Sequence, residues 1–217
     1  MAEKRPLTDH YPDGDPPSPE DLLATLRDVV EALRDDGVDH LLMGGIGAYS
    51  HARPRVTEDI DVFIRPGDVD RVRDALESAG FEVAEHDPMW LVKAWKRGVL
   101  VDVIFRSSGD IYLDDEMLRR QWKGEYKGVV TPLVAPEDLL VIKALTSSEA
   151  NPQHWYDALA IISRCDMDWE YLVQRARQAG PRRVLSLLLF AESSDLVVPS
   201  NAVQALFDAV HPREDLA

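Results

Sequence analysis

The sequence predicts an α/β fold, a mixed sheet flanked by helices and followed by a C-terminal helical bundle. Three observations lead there. Short apolar or alternating runs, bounded by glycine and turn residues, interleave with helical periodicity up to about Ala135. From Pro136 on, only helical spacing remains. The composition, 45% hydrophobic and 29% charged over 217 residues, is that of an ordinary globular chain. The expected organisation is an acidic, Pro-rich leader over 1–17, an α/β domain over 18–135 and a helical region over 136–217. Whether the last two pack into one unit is left open.

Taken in order, Pro6 to Pro19 has the composition of an extended, solvated tail. Ser18-Pro19-Glu20-Asp21 then opens a helix with a Ser cap, Pro in the first turn and an acid three residues after the cap. Leu22, Leu23, Leu26, Val29, Val30 and Leu33 recur at helical spacing up to Gly37. His40 to Met43 reads as a short strand running into Gly44-Gly45, with a short helix expected over Ile46–His51. Asp59 to Ile64 alternates acid and apolar side chains, as a half-buried strand does. A helix over Val69–Ala79 closes at Gly80. Strands are expected at Phe81–Glu85, Trp90–Lys96 and Val99–Phe105, the last two joined through Arg97-Gly98, and a final one at Val129–Val134. Helices are expected at Pro136–Leu145, Gln153–Ser163, Trp169–Ala179, Arg182–Ser193 and Asn201–Val210.

The net charge, 24 basic minus 39 acidic residues or −15, opposes any broad nucleic-acid surface, which needs a basic footprint. Only the stretch 91–127 is locally basic, with eight basic against six acidic residues. No apolar run approaches the ~20 residues of a spanning helix, and the N-terminal residues lack the apolar core of a signal peptide. A cytoplasmic protein without membrane contact is the expectation. The single Cys165 excludes an internal disulfide and any Cys-rich zinc site.

Chemistry is concentrated in Leu42-Met43-Gly44-Gly45, thirteen residues, then Asp59-Ile60-Asp61. Residues two apart on a strand share a face, so Asp59 and Asp61 project together while Ile60 and Val62 pack the other side. Two like charges at that spacing call for a cation, and hard oxygen ligands suit Mg²⁺ or Mn²⁺. The glycine pair, between a strand and a short helix, lets backbone N–H groups approach a phosphate. Asp102 lies inside the otherwise apolar run Val99–Phe105, where an unpaired carboxylate is costly to bury. With its strand beside that of Asp59–Ile64, three carboxylates converge for in-line phosphoryl transfer.

The glycine pair, the Asp-Ile-Asp run and the later strand Asp resemble the nucleotidyltransferase superfamily of the DNA polymerase β type. The fuller string GGIGAYSHARPRVTEDIDVFI, with TPLVAPEDLLVIKAL and the helix bearing Asp157, is similar to bacterial AbiEii toxin-like nucleotidyltransferases and their uncharacterised relatives, over roughly residues 38–165. The resemblance implies a nucleotidyltransferase-type sheet, an NTP such as ATP as substrate, phosphate contacts from Gly44 and Gly45, and metal held by Asp59, Asp61 and Asp102. It also sets Lys143 at the place of the family lysine that meets the triphosphate, and Asp157 at that of a later family acid. The stretch SSEANPQHWY departs from the Arg-rich pattern of the toxin-like group.

Several side chains carry two open readings. Arg53 and Arg55 suit phosphate by their fork geometry, and equally suit pairing with Glu58 or Asp59. Lys143 is either part of the site or a helix lysine reaching to solvent past core neighbours. Asp102 either serves the site or sits near a strand end in water. Trp90, Lys93, Trp95, Lys96 and Arg97 offer stacking and charge to a nucleic-acid end, or one packed and one solvated strand face. Thr57 is assigned a capping or orienting role, His51 and His154 no role, and Trp155, Tyr156 and Trp169 the helical core.

The expected activity is metal-dependent transfer of a nucleoside monophosphate from an NTP, with Asp59, Asp61 and Asp102 catalytic and Gly44, Gly45, Arg55 and Lys143 on the nucleotide. The acceptor is open among an RNA or tRNA end, a protein, and a small molecule such as an aminoglycoside, which an acidic surface attracts. The alternatives are an inactive member of the fold serving as a binding module, for instance a toxin–antitoxin component with a protein partner, and a phosphohydrolase using the same acids.

Overall fold

The structure is a computed structural model, and it describes residues 16–212, so nearly all of the expected leader lies outside the described residues. Seven strands form one mixed sheet: β1 (His40–Leu42), β2 (Asp59–Ile64), β3 (Glu82–Asp87), β4 (Leu91–Lys96), β5 (Val99–Ile104), β6 (Trp122–Tyr126) and β7 (Val129–Leu133). Their order across the sheet is β3-β4-β5-β2-β1-β7-β6. The pairs β2–β5 and β1–β7 are parallel and the others antiparallel. Helices among the described residues are α1 (Pro19–Asp35), α2 (Gly44–His51), α3 (Val69–Ser78), α4 (Asp115–Arg119), α5 (Pro136–Thr146), α6 (Gln153–Arg164), α7 (Trp169–Ala179), α8 (Pro181–Ser193) and α9 (Ser200–Val210).

Alternation along the central strands sorts their side chains to two faces. Ile60, Val62 and Ile64 of β2, with Val99, Val101 and Val103 of β5, join the core under α1 and α3. That core also takes Leu22, Leu26, Val29 and Leu33, the stripe read from the sequence of α1, whose start is capped by Ser18 Oγ accepting from the Asp21 N–H at 3.1 Å. The intervening positions Asp59, Asp61, Leu100 and Asp102 lie on the opposite face, where Phe63 and Ile104 meet the helical region. This second core contains Leu41 and Phe63 of the sheet together with Leu139, Leu140, Leu172, Leu188 and Leu206 of the helices, so it runs across the expected boundary at 135 and 136. Apolar area removed from water at about 25 cal/mol per Å² is the main force joining the two parts.

The structure differs from expectation at three places. The helix after β1 begins at Gly44, so the glycine pair forms its first turn instead of preceding it. α4 and β6 were not expected. β6 turns into β7 through Lys127 (φ 47°) and Gly128 (φ 85°), the same two-residue left-handed turn as Arg97 (φ 52°) and Gly98 (φ 74°) between β4 and β5. The signal was present in the sequence, but β6, Trp-Lys-Gly-Glu-Tyr, carries glycine at its centre and too few apolar residues to read as a strand.

Candidate active site

Residue pairing across the sheet brings the predicted acids together. In the parallel β2–β5 ladder Asp61 lies directly opposite Asp102, and Asp59 opposite Leu100. Asp59 is held by Thr57, whose hydroxyl donates to Asp59 Oδ1 at 2.8 Å; Thr57 is buried, so this bond fixes the carboxylate's direction. Burial first, then the charges of Asp59 and Asp102, push the Asp61 carboxyl up to about 8, against the opposing pull of Lys143 and the Gly45 N–H. Among the described residues, no three or more His, Cys, Asp or Glu side chains are grouped closely enough to hold a metal ion as they stand.

Gly44 faces these acids. Its φ is +56°, and a Cβ there would lie 1.6 Å from Asp61 Oδ2; one on Gly45 would lie 2.2 Å from Thr57 Oγ1. Only glycine allows the start of α2 to approach the carboxylates so nearly. The N-cap residue Met43 makes no side-chain cap, and the Gly45 N–H of the first turn instead meets the Asp61 carboxylate. The Gly47 N–H bonds to the Met43 carbonyl at 2.8 Å, and the Met43 N–H to the Asp61 carbonyl at 3.0 Å, which ties the helix start to β2.

Opposite the acids stands a buried cluster that the sequence did not assemble. Asp157 of α6, fully buried, receives Lys143 Nζ of α5 at 3.2 Å, Arg53 Nη1 at 2.9 Å and Arg55 Nη2 at 3.2 Å. Burial raises its carboxyl, but Lys143, Arg55 and Arg53 outweigh that and hold it below the ordinary carboxylate range. Both arginines therefore turn to Asp157 rather than to Glu58 or Asp59 in the ion pairs they form. Lys143 is buried and does not reach past the core to solvent; it also donates to His154 Nδ1 at 3.2 Å. Burial and the adjacent Lys143 push the His154 imidazole down to about 4, so it is neutral and free to accept that bond. His51 is structural: its Nε2 meets the Val134 carbonyl at 2.7 Å. The Thr57 and His154 contacts could have been suspected from their nearness in sequence to Asp59 and Asp157, but neither has a spacing rule of its own.

These groups line one cavity of about 870 Å³. Its lining includes Gly44, Gly45, Arg55, Lys143 and His154 together with Asp59, Asp61, Asp102, Trp90 and Asp110. Six of the eight basic residues of the locally basic stretch are taken up in ion pairs, while Lys123 and Lys127 are exposed. Lys93 pairs with Asp102, Lys96 and Arg97 with Asp28, Arg106 with Asp110, Arg119 with Glu116, and Arg120 with Glu116 and Asp168. Trp95 is buried, while Trp90 is half-exposed and bonds to Asp87 through its indole N–H at 2.8 Å.

A sequence model of the uncharacterised nucleotidyltransferase family matches residues 20–192, which takes in the sheet, the acids and the Asp157 cluster. The chain belongs to this family. Comparison with curated sequences gives no match. An antigenic nucleotidyltransferase-like protein from Paracoccidioides brasiliensis shares the nucleotidyltransferase fold with a TM-score of 0.52 and 18% identity, over 88% of this chain and 95% of its own. A lincosamide antibiotic adenylyltransferase, solved with lincomycin bound, superposes with a TM-score of 0.48 and 16% identity, over 68% of this chain and 99% of its own. A nucleotidyltransferase toxin from Mycobacterium tuberculosis does so with a TM-score of 0.43 and 15% identity, over 82% and 68%. The present nucleotidyltransferase is thus an α/β transferase of this family, and among its described residues no helix is long and apolar enough to cross a membrane.

Proposed function

We propose that this nucleotidyltransferase moves a nucleoside monophosphate from an NTP to a hydroxyl or phosphate acceptor, releases pyrophosphate, and depends on a divalent cation held at Asp59 and Asp61. The observation that carries the reading is the register pair Asp61–Asp102, set in one cavity with the glycine start of α2, Lys143 and Arg55. The donor set fits Mg²⁺ or Mn²⁺, because its oxygens are hard and the crowded charge on Asp61 is relieved by a cation. When bound, that cation supplies charge neutralisation at the triphosphate.

The chain's own groups do the rest. The first turn of α2 offers backbone N–H groups to phosphate oxygens at the positive end of the helix dipole. Lys143 and Arg55 add positive charge in the same cavity, held in place by Asp157. Asp102 takes the acceptor's proton as its oxygen bonds to the α-phosphorus, while the bond to the bridging oxygen breaks and pyrophosphate leaves with the electron pair.

On the acceptor side, acids and Trp90 suit a small, cationic, hydroxyl-bearing compound such as an aminoglycoside better than a phosphate backbone. The ion pairing of the 91–127 stretch supports the same preference over an RNA end. The test incubates the chain with each labelled NTP, Mg²⁺ or Mn²⁺, and aminoglycosides, total RNA or the protein itself. Transfer that survives Asp61→Asn would overturn the assignment; transfer to RNA alone would overturn the acceptor preference.

A further inference from the structure

Where α5 gives way to α6, the cavity lining includes the uncharged side chains of Asn151, Gln153 and His154 together with the buried Lys143. Lys143 Nζ lies 3.2 Å from His154 Nδ1 and 3.2 Å from Asp157 Oδ2. Burial draws the Lys143 ammonium below its ordinary range, but Asp157 and Asp61 oppose that pull, so the lysine keeps its charge and can only donate. His154 Nδ1 is therefore an acceptor. Its ring is neutral, because burial and then Lys143 push it down to about 4, with Arg55 on the same side and Asp157 and Asp59 against. A neutral imidazole carries one N–H, so the proton rests on Nε2.

Nε2 has no hydrogen-bond partner among the described residues, yet it is not one of their buried orphan atoms, so this donor is open to the cavity that His154 lines. His154 is also the second residue of α6, whose start has no side-chain cap and presents the positive end of the helix dipole. Lys143 and Arg55 add to the same positive potential. We propose that His154 donates its Nε2–H to a phosphate oxygen of the bound triphosphate, in the tautomer that Lys143 fixes. The two ring nitrogens then have separate duties: Nδ1 holds the Lys143 ammonium in place, and Nε2 meets the ligand. The inference rests on the nucleotide reading above.

The test titrates inorganic triphosphate, and separately each of the four NTPs, with Mg²⁺ into the full chain by calorimetry. In His154→Asn the amide oxygen stands near the place of Nδ1 and keeps the bond to Lys143, but nothing reaches the place of Nε2. Inorganic triphosphate and NTP should then bind about tenfold more weakly, the loss of one hydrogen bond to a charged group. His154→Gln reverses this, since its amide nitrogen reaches the place of Nε2, and should recover binding to within about threefold of the wild type. A lysine-holding role alone predicts the opposite order, so Asn binding as tightly as the wild type, or Gln binding more weakly than Asn, overturns the proposal. Weaker NTP binding with unchanged inorganic triphosphate moves the donor to the nucleoside and overturns it as well. Two-bond ¹H–¹⁵N spectra of the wild type at pH 7 give a measurement that depends on no variant's affinity. They should show His154 with Nε2 protonated and Nδ1 bare, and its Nε2 resonance should move when inorganic triphosphate is added. A proton on Nδ1 instead, or an Nε2 resonance left in place by bound triphosphate, overturns the proposal and leaves the transferase reading standing. A wild type that binds neither inorganic triphosphate nor any NTP overturns the nucleotide reading itself.

Discussion

At Asp61, function and stability pull in opposite directions. Its carboxyl is buried beside Asp59 and Asp102, and that crowding destabilises the fold at a group on which the proposed chemistry depends. Asp61→Asn should therefore raise the urea midpoint, through an unfolding free energy larger by on the order of 2 kcal/mol, while activity falls a thousandfold or more, about 4 kcal/mol of transition-state stabilisation. A midpoint below that of the wild type would show the carboxyl to be satisfied without a cation. His154 gives a second residue-scale expectation. Its folded imidazole is pushed down to about 4 by burial and Lys143, with Arg55 acting the same way and Asp157 and Asp59 against it, whereas the unfolded side chain takes up a proton near 6.5. The unfolded state thus binds more protons between these values, so this contribution is whole above 6.5 and is lost as the pH falls toward 4. Acidifying from pH 7 to 5 should cost at most about 1 kcal/mol through this half-buried group once solvent screening is allowed for, and His154→Gln should lose correspondingly less in parallel urea titrations. Of these residues, the paired aspartates were legible in the sequence because strand periodicity alone puts them on one face. Thr57, His154 and Asp157 were not assembled there, since their partners are set by how α5 and α6 dock.

The start of α2 is the element on which the site turns. Its first residue has φ +56° and no room for a methyl group against Asp61. Gly44→Ala should cost about 1–3 kcal/mol of stability from backbone strain and displacement, and should abolish nucleotide binding. Gly67→Ala, where nothing lies within 4 Å, serves as the control and should stay within about 0.5 kcal/mol. Thermal unfolding with and without NTP reads both; equal behaviour of the two variants would remove the close approach from the account. Elements with long apolar runs or strong alternation were legible, with ends displaced by a residue or two. β6 was hidden because an edge strand with exposed Trp122, Lys123 and Glu125 buries too little to show a pattern.

Across the whole molecule, the net charge of −15 is less uniform than its sum suggests, because one buried lysine and two partly buried arginines are gathered around one acid. Asp157 links the loop before β2, α5 and α6, and so joins the sheet half to the helical half. Asp157→Asn leaves Lys143 buried without its counter-charge and should cost about 3–5 kcal/mol, with weaker NTP binding in the same variant. A loss under 1 kcal/mol by urea unfolding would show the cluster to be solvated. Arg53 and the aspartate it meets are 104 residues apart. Read as a timetable of synthesis, that separation means the sheet and its three acids leave the ribosome well before α6 does. A nascent or prematurely terminated chain ending ahead of Asp157 carries the acids but lacks the anchor for Arg53, Arg55 and Lys143, so on the proposed reading it should show no transfer activity until the helical half has arrived.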